Sequence, residues 1–304
     1  MSTRRLLMIY MLLPVMYFAG CFTNKPAPFL KHGSGRFVFQ TDALNAGRPI
    51  TVFTYLPTGY TTDSPIIFVM HGNGRTAQKY RDAWIDIAEE NNALLLVPKF
   101  SRQDFPLDQD YNMGHMFKMD SHDNILAQNP ENMWSYSLVD PIFDFTVKKM
   151  RNKSKQYLIY GHSAGSQLVH RFLFFKPNAK VKKAVCANAG WYTMPDFNSL
   201  FPYGLKMTRC TAEDLKRVFQ KRVTILLGDQ DIDPNHPQLR RTPQAMKQGI
   251  HRFQRGHTFY NACKQMAESL GVKFRWDLQI VHGVAHSNRR MAPAAGKILF
   301  QQNK

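Results

Sequence analysis

Apolar positions follow two rhythms along this chain. Ile66, Ile67, Phe68, Val69 and Met70 succeed one another without a polar break, the pattern of a strand buried on both faces. Residues 93–97 form the next buried run, further strands are expected at 156–160, 182–187, 223–227 and 274–281, and residues 35–40 and 50–56 read as an opening pair of strands. Between them the spacing lengthens to that of a helix. Tyr80, Trp84 and Ile87 share one face, with Asn91 and Asn92 as a stop; Val139, Phe143, Val147 and Met150 share another; Leu168, Phe172 and Phe175 a third, closed by Pro177. Two more helices are expected at about 257–270 and 290–300. Strands separated by amphipathic helices predict an α/β fold, with a mostly parallel central sheet and helices on both faces. Ligands of such sheets bind at the carboxyl ends of the strands, and segments such as 101–137 read as loop insertions over that end.

Length and composition keep this picture to one folded unit. The 304 residues include 44% hydrophobic and 20% charged positions, enough for a large core and too few charges for a disordered polyelectrolyte. No internal repeat or long low-complexity linker divides them.

The beginning of the chain stands apart. Arg4 and Arg5 precede an apolar stretch, Leu6 to Ala19, which ends in Ala19-Gly20 directly before Cys21. This is a secretory signal pattern, and small residues before a cysteine resemble a bacterial lipobox, although Phe18 stands where leucine is usual. The resemblance implies cleavage before Cys21 and lipidation of its sulfur. An uncleaved signal anchor or an ordinary cleaved signal is the alternative. The division expected is 1–20 signal peptide, 21–34 tether and 35–304 a single α/β domain. The domain is then exported and held on a membrane on the periplasmic or extracellular side.

Charge and cysteines add less. A net charge of +18 suits an anionic surface or substrate, but no nucleic-acid motif accompanies it. Cys186 lies in an apolar run and reads as a buried thiol. Cys210 and Cys263 have the option of a bridge in an oxidising compartment. No cysteine spacing suggests zinc.

The chemistry concentrates where strand runs end. After the run closing at Tyr160 comes Gly161-His162-Ser163-Ala164-Gly165, a G-x-S-x-G turn between a strand and an amphipathic helix. Its glycines allow a sharp turn that lifts the serine oxygen into the open. The Ala164 N–H, at a helix N-terminus, is aimed to meet a developing oxyanion. After the run ending at Met70 comes His71-Gly72-Asn73-Gly74; the Asn73 N–H is the first candidate for a second donor and that of Gly74 the alternative. After 223–227 three acids compete, Asp229, Asp231 and Asp233. Their alternation also resembles a calcium loop, without the later bidentate glutamate such a loop needs. After the last strand stand His282 and His286; His286 lies further into the loop, where a base reaches across the strand ends.

From about residue 35 onward these features resemble the α/β-hydrolase superfamily, and within it the esterases grouped with polyhydroxybutyrate depolymerases and feruloyl esterases. The resemblance implies a serine hydrolase with chain order Ser163, Asp231, His286. It selects Asp231 because the superfamily's acid commonly stands three residues after a strand-closing glycine, here Gly228. It implies cleavage of carboxylic esters, small or lipid-like, through an acyl-enzyme and without a cofactor or metal. A peptidase or amidase using the same residues, or a non-catalytic binding lipoprotein of this fold, are the alternatives.

Two further groups attract notice. His115, Asp120, His122 and Asp123 cluster around Met113, Met116 and Met119; a lid with pliable methionines facing an apolar substrate is preferred to a metal site, and His170 reads as packed on its helix. Arg240, Arg241, Lys247, His251, Arg252 and Arg255 follow Asp231 with no acid between Asp233 and Arg255; a solvated surface loop in a chain that is basic throughout is the plainer reading, and a basic rim selecting anionic substrates or surfaces the more specific one.

Overall fold

The runs that are apolar at every step lie in the middle of one sheet, and those that alternate lie at its margins. The computed structural model describes residues 29–301. In chain order the elements are β1 (Gly33–Phe39), β2 (Ile50–Leu56), β3 (Ile66–Met70), α1 (Ala77–Asp82), α2 (Ile85–Glu90), β4 (Leu94–Lys99) and α3 (Asp108–Tyr111). Then come β5 (Phe117–Met119), β6 (Ile125–Gln128), α4 (Val139–Met150), β7 (Tyr157–His162), α5 (Ala164–Phe175), β8 (Val181–Ala187) and α6 (Ala212–Phe219). The chain finishes with β9 (Arg222–Gly228), α7 (Pro243–Gln248), α8 (Arg252–Ser269), β10 (Trp276–Val281) and α9 (Asn288–Phe300).

Eight strands join in the order β1-β2-β4-β3-β7-β8-β9-β10. β2 is antiparallel to both its neighbours, and every pair from β4 to β10 is parallel. β3 and β7 are buried throughout, while β2 and the far edge strand β10 expose part of their length. Because successive side chains face opposite ways, Ile66, Phe68 and Met70 enter one core with Phe143, Leu168, Leu215 and Phe259, from α4, α5, α6 and α8. Ile67 and Val69 enter the other with Trp84, Ala88, Met291 and Ala295, so that α1, α2 and α9 cover the opposite face. Each fully buried large apolar side chain contributes about 1.5–3 kcal/mol, and these two layers set the strand ends in place.

Several expectations need correction. The helix around Tyr80 is two helices, because Trp84 leaves helical geometry (φ −113°, ψ 1°) and packs against Tyr160. α8 begins at Arg252, earlier than expected. α6 has a Thr211 cap, whose Oγ accepts from the Asp214 N–H at 3.2 Å. The segment 101–137 carries α3 and the antiparallel β5–β6 pair, but Met113, Met116 and Met119 are buried in the core beneath it. They face no substrate cavity, because the hairpin folds its apolar side inward, as with Phe117 against Phe201 at 5.2 Å. Phe29 packs on Phe37 at 5.1 Å and Leu30 is buried, so the folded unit reaches further back than residue 35. Cys186, Cys210 and Cys263 are three buried thiols with no bridge between Cys210 and Cys263. The signal segment and Cys21 lie outside the described residues, among which no helix is long and apolar enough to cross a membrane.

Candidate active site

The serine is held by a steric trap. Ser163 has φ 59° and ψ −120° between the end of β7 and the start of α5, a strained position costing about 1–3 kcal/mol. A side chain on Gly161 would begin 2.2 Å from the Gly165 carbonyl oxygen, and one on Gly165 2.1 Å from that of Met70. Only glycine at both places lets the helix turn back so tightly over β3. The Ser163 N–H donates to the Ala187 oxygen at 3.0 Å, and its side chain is left pointing outward.

Ser163 Oγ lies 2.9 Å from His286 Nε2, and His286 Nδ1 lies 2.7 Å from Asp231 Oδ2. A carboxylate only accepts, so Nδ1 carries the proton, Nε2 is a free acceptor and the serine hydroxyl donates to it. Asp231 is buried. Its other oxygen accepts from Arg252 Nη1 at 3.3 Å. The other two acids are employed elsewhere. Asp229 accepts from the Gly283 N–H at 2.8 Å and lies 2.9 Å from Nδ1 of the exposed His282. Asp233 accepts from the Asn235 N–H at 2.8 Å in an exposed turn. The His162 ring lies 4.7 Å from that of His286. Burial, reinforced by the nearby His286 and Arg252, pushes His162 well below the usual histidine range, so it sits beside the base as a neutral ring.

Asn73 and Ala164 line the same cavity of about 260 Å³ as Ser163. Gly74 is exposed and is not part of that lining. Ala164 opens α5, so its N–H has no partner within the helix. The Asn73 loop is braced by residues not singled out from sequence. The buried His71 accepts the Phe100 N–H on Nε2 at 3.1 Å and therefore donates from Nδ1 to Gly72 O at 3.0 Å. Burial lowers its pKa to about 3, which keeps it neutral. Tyr111 donates to the His71 oxygen at 2.6 Å, and Arg102 to that of Asn73 at 3.0 Å. A histidine wedged between an apolar strand and a glycine was the signal available for this brace.

The rest of the cavity wall includes Asp108, Asn112, Gln167, Trp191 and Arg240. Arg240 lies 4.6 Å over the Trp191 ring, donates to Tyr203 Oη at 2.7 Å and pairs with Asp123. The basic rim expected from sequence is therefore mostly absent. Arg252 is buried on Asp231, and Arg255 is buried with its guanidinium on the carbonyl oxygens of Gly249, Gly190 and Arg240 at 2.8, 2.7 and 2.9 Å. Of that series Arg240 and Arg252 line the cavity, Arg252 with its guanidinium paired to Asp231; Arg241 and Lys247 are exposed outside the lining. A larger cavity of about 750 Å³, lined by Asp123, Tyr203 and Lys247 among others, backs onto this wall.

The His115 cluster is dispersed. His115 pairs with Asp110 at 2.8 Å, Asp120 caps the β5–β6 turn through the His122 and Asn124 N–H groups, and Asp123 holds Arg240. Among the described residues no group of acids, histidines and cysteines is arranged to hold a metal ion. His170 is buried on α5, accepting from the Thr193 N–H at 3.1 Å.

A strand order of this kind, with a serine on a strand–helix elbow facing a histidine and an acid from later strand ends, defines a hydrolase of the α/β-hydrolase class. The chain belongs to the α/β-hydrolase superfamily, in a branch that includes two well-matched solved relatives. One is poly(aspartic acid) hydrolase-1 from Sphingomonas sp. KT-1, 45% identical over 90% of this chain and all of that one, with a TM-score of 0.84. Another is LpqC, a poly(3-hydroxybutyrate) depolymerase from Bordetella parapertussis, 35% identical over 88% of this chain and 90% of that one, with a TM-score of 0.81. An S-formylglutathione hydrolase from Agrobacterium tumefaciens, at 15% identity and a TM-score of 0.53, shares the fold. No family model matches the sequence, and no curated protein does.

Proposed function

We propose that this hydrolase cleaves carboxylic esters by acyl transfer to Ser163. The observation that carries the reading is the hydrogen-bonded run Ser163–His286–Asp231, open to a cavity that Asn73 and Ala164 also line. His286 Nε2 takes the hydroxyl proton as Oγ attacks the carbonyl carbon, and Asp231 stabilises the imidazolium that forms. The N–H groups of Ala164 and Asn73 receive the oxyanion, each worth about 3–4 kcal/mol in comparable sites. The C–O bond then breaks, His286 returns the proton to the leaving alkoxide, and water activated by the same histidine releases the acid. No cofactor or metal enters this scheme. The cavity's modest size and polar lining favour a short, polar acyl group over a long lipid chain.

A second reading, cleavage of amide bonds in an acidic polymer, is favoured by the 45% identical relative named for poly(aspartic acid). Arg240, a guanidinium of the cavity wall, suits a carboxylate next to the scissile carbonyl. The test is kcat/KM for matched neutral and anionic esters and the corresponding amides, in a salt series. The ester reading expects esters to be cleaved at least about tenfold faster than amides, roughly 1.4 kcal/mol in barrier. Faster cleavage of polyaspartate amides would replace it with the second reading. An anionic preference that fades with salt and shrinks in Arg240→Ala assigns selectivity to that residue; a preference unchanged in the variant removes Arg240 from the account.

The domain is proposed to be exported and tethered through lipid on Cys21. Mass spectrometry of the mature N-terminus decides this, and an unmodified peptide reading through Cys21 from Met1 would overturn it.

A further inference from the structure

Asp231 is gripped from two sides. One carboxylate oxygen serves His286; the other accepts from Arg252 in an ion pair whose side chains are 3% and 2% exposed. Arg252 is the first residue of α8, and the next residue, Phe253, donates its N–H to the Asp231 carbonyl oxygen at 3.2 Å. The positive end of an 18-residue helix is thereby docked on the acid through both backbone and side chain. Arg252 also donates from Nη2 to Nδ1 of the half-buried His236 at 3.1 Å, and the His236 ring lies 5.6 Å from that of His286. A buried guanidinium is expensive unless paired, and its acid partner here is the one that orients His286. An acid needed only to hold a histidine requires no such neighbour.

We propose that Arg252 is a positioning residue that fixes the Asp231 carboxylate and, by offsetting its charge, keeps the imidazole of His286 unprotonated and reactive further into the acid range. This rests on the assignment of Ser163, His286 and Asp231 above. An aspartate beside a histidine favours the imidazolium; a cation on the aspartate's other oxygen takes back part of that effect. The charged and titratable groups around this centre are Asp231, Asp233, Arg252, Arg255, Tyr192, His162, His236 and His251. Burial, with Arg252 and His286 nearby, lowers His236 below the usual histidine range, and its Nδ1 accepts from Arg252 only while neutral. Arg252 is therefore the permanent cation on the Asp231 carboxylate, whereas the guanidinium of Arg255 is spent on backbone carbonyls.

The test uses the full-length protein and a fluorophosphonate probe, whose rate of attachment to Ser163 reports the free His286 base directly. Labelling rate against pH is compared for the parent, Arg252→Gln, Arg252→Met and Arg252→Lys, with thermal melts alongside. Two neutral variants are used because loss of one partner from a buried pair threatens folding and either folded protein suffices; Gln still donates to Oδ1, whereas Met only fills space. Without the cation the acid limb should move to higher pH by about one unit, a roughly tenfold loss of labelling on the acid side of the limb. Arg252→Lys should return most of that shift. An acid limb unmoved in a folded neutral variant overturns the proposal while the assignment of Ser163 stands. Equal shifts in Lys and the neutral variants overturn it too, since shape rather than charge would be responsible. A parent that is not labelled at Ser163 removes the catalytic assignment and this inference together.

Discussion

Ser163→Ala should abolish both probe labelling and ester turnover, with kcat falling by roughly five to six orders of magnitude, as when a triad acts as one unit. Nothing else in the described cavity offers a nucleophile with a base at hydrogen-bonding distance: its other side chains are amides, one carboxylate, two guanidiniums, an indole and the apolar groups of Ala164, Pro237 and Leu239. The variant should keep its fold, because Ser163 is anchored through its backbone to Ala187 rather than through its hydroxyl. A thermal melt within a few degrees of the parent, together with lost turnover, is the expected pair of results. Turnover within tenfold of the parent would place the nucleophile elsewhere.

Asp231→Asn is expected to slow ester hydrolysis by about 10⁴-fold, while Asp229→Asn and Asp233→Asn stay within tenfold of the parent. An amide at 231 can present its NH₂ to His286, which favours the wrong tautomer and leaves the imidazolium without a counter-charge. It also strands the Arg252 guanidinium in the interior, a loss of about 3–5 kcal/mol for a broken buried pair. The Asp231 variant should therefore melt at a lower temperature as well. Asp229 ties down the loop below His286 through His282 and Gly283, so its loss should loosen that loop without removing the base. Kinetics and melts of the three variants check this; a slow Asp229 variant beside a fast Asp231 variant would exchange their roles.

What was legible in the sequence follows from burial. β3, β7 and β9 announce themselves because both faces of a central strand are covered, and the chemistry stands where those runs stop. That is why Ser163, Asp231 and His286 could be selected from sequence; the structure brings them within hydrogen-bonding distance. α6 was missed because eight residues are too few to establish a helical period, and its Thr211–Asp214 cap looks like a turn. The methionines of 101–137 carry no pattern that tells a core from a cavity. Arg252 and Arg255 were misread for a different reason. A charged residue with no acid nearby in sequence suggests solvent, but their partners are an aspartate 21 residues earlier and three backbone carbonyls. Long-range pairing of this kind leaves no local trace.

Arg255 separates two properties that usually change together. Its guanidinium grips the backbone of residues 190 and 240, both in the wall of the catalytic cavity, while the Arg240 side chain rests on the side chains of Trp191, Tyr203 and Asp123. The course of the main chain there does not depend on which side chain position 240 carries. An engineer seeking a different acyl preference thus has a socket whose frame is fixed and whose contents are exchangeable.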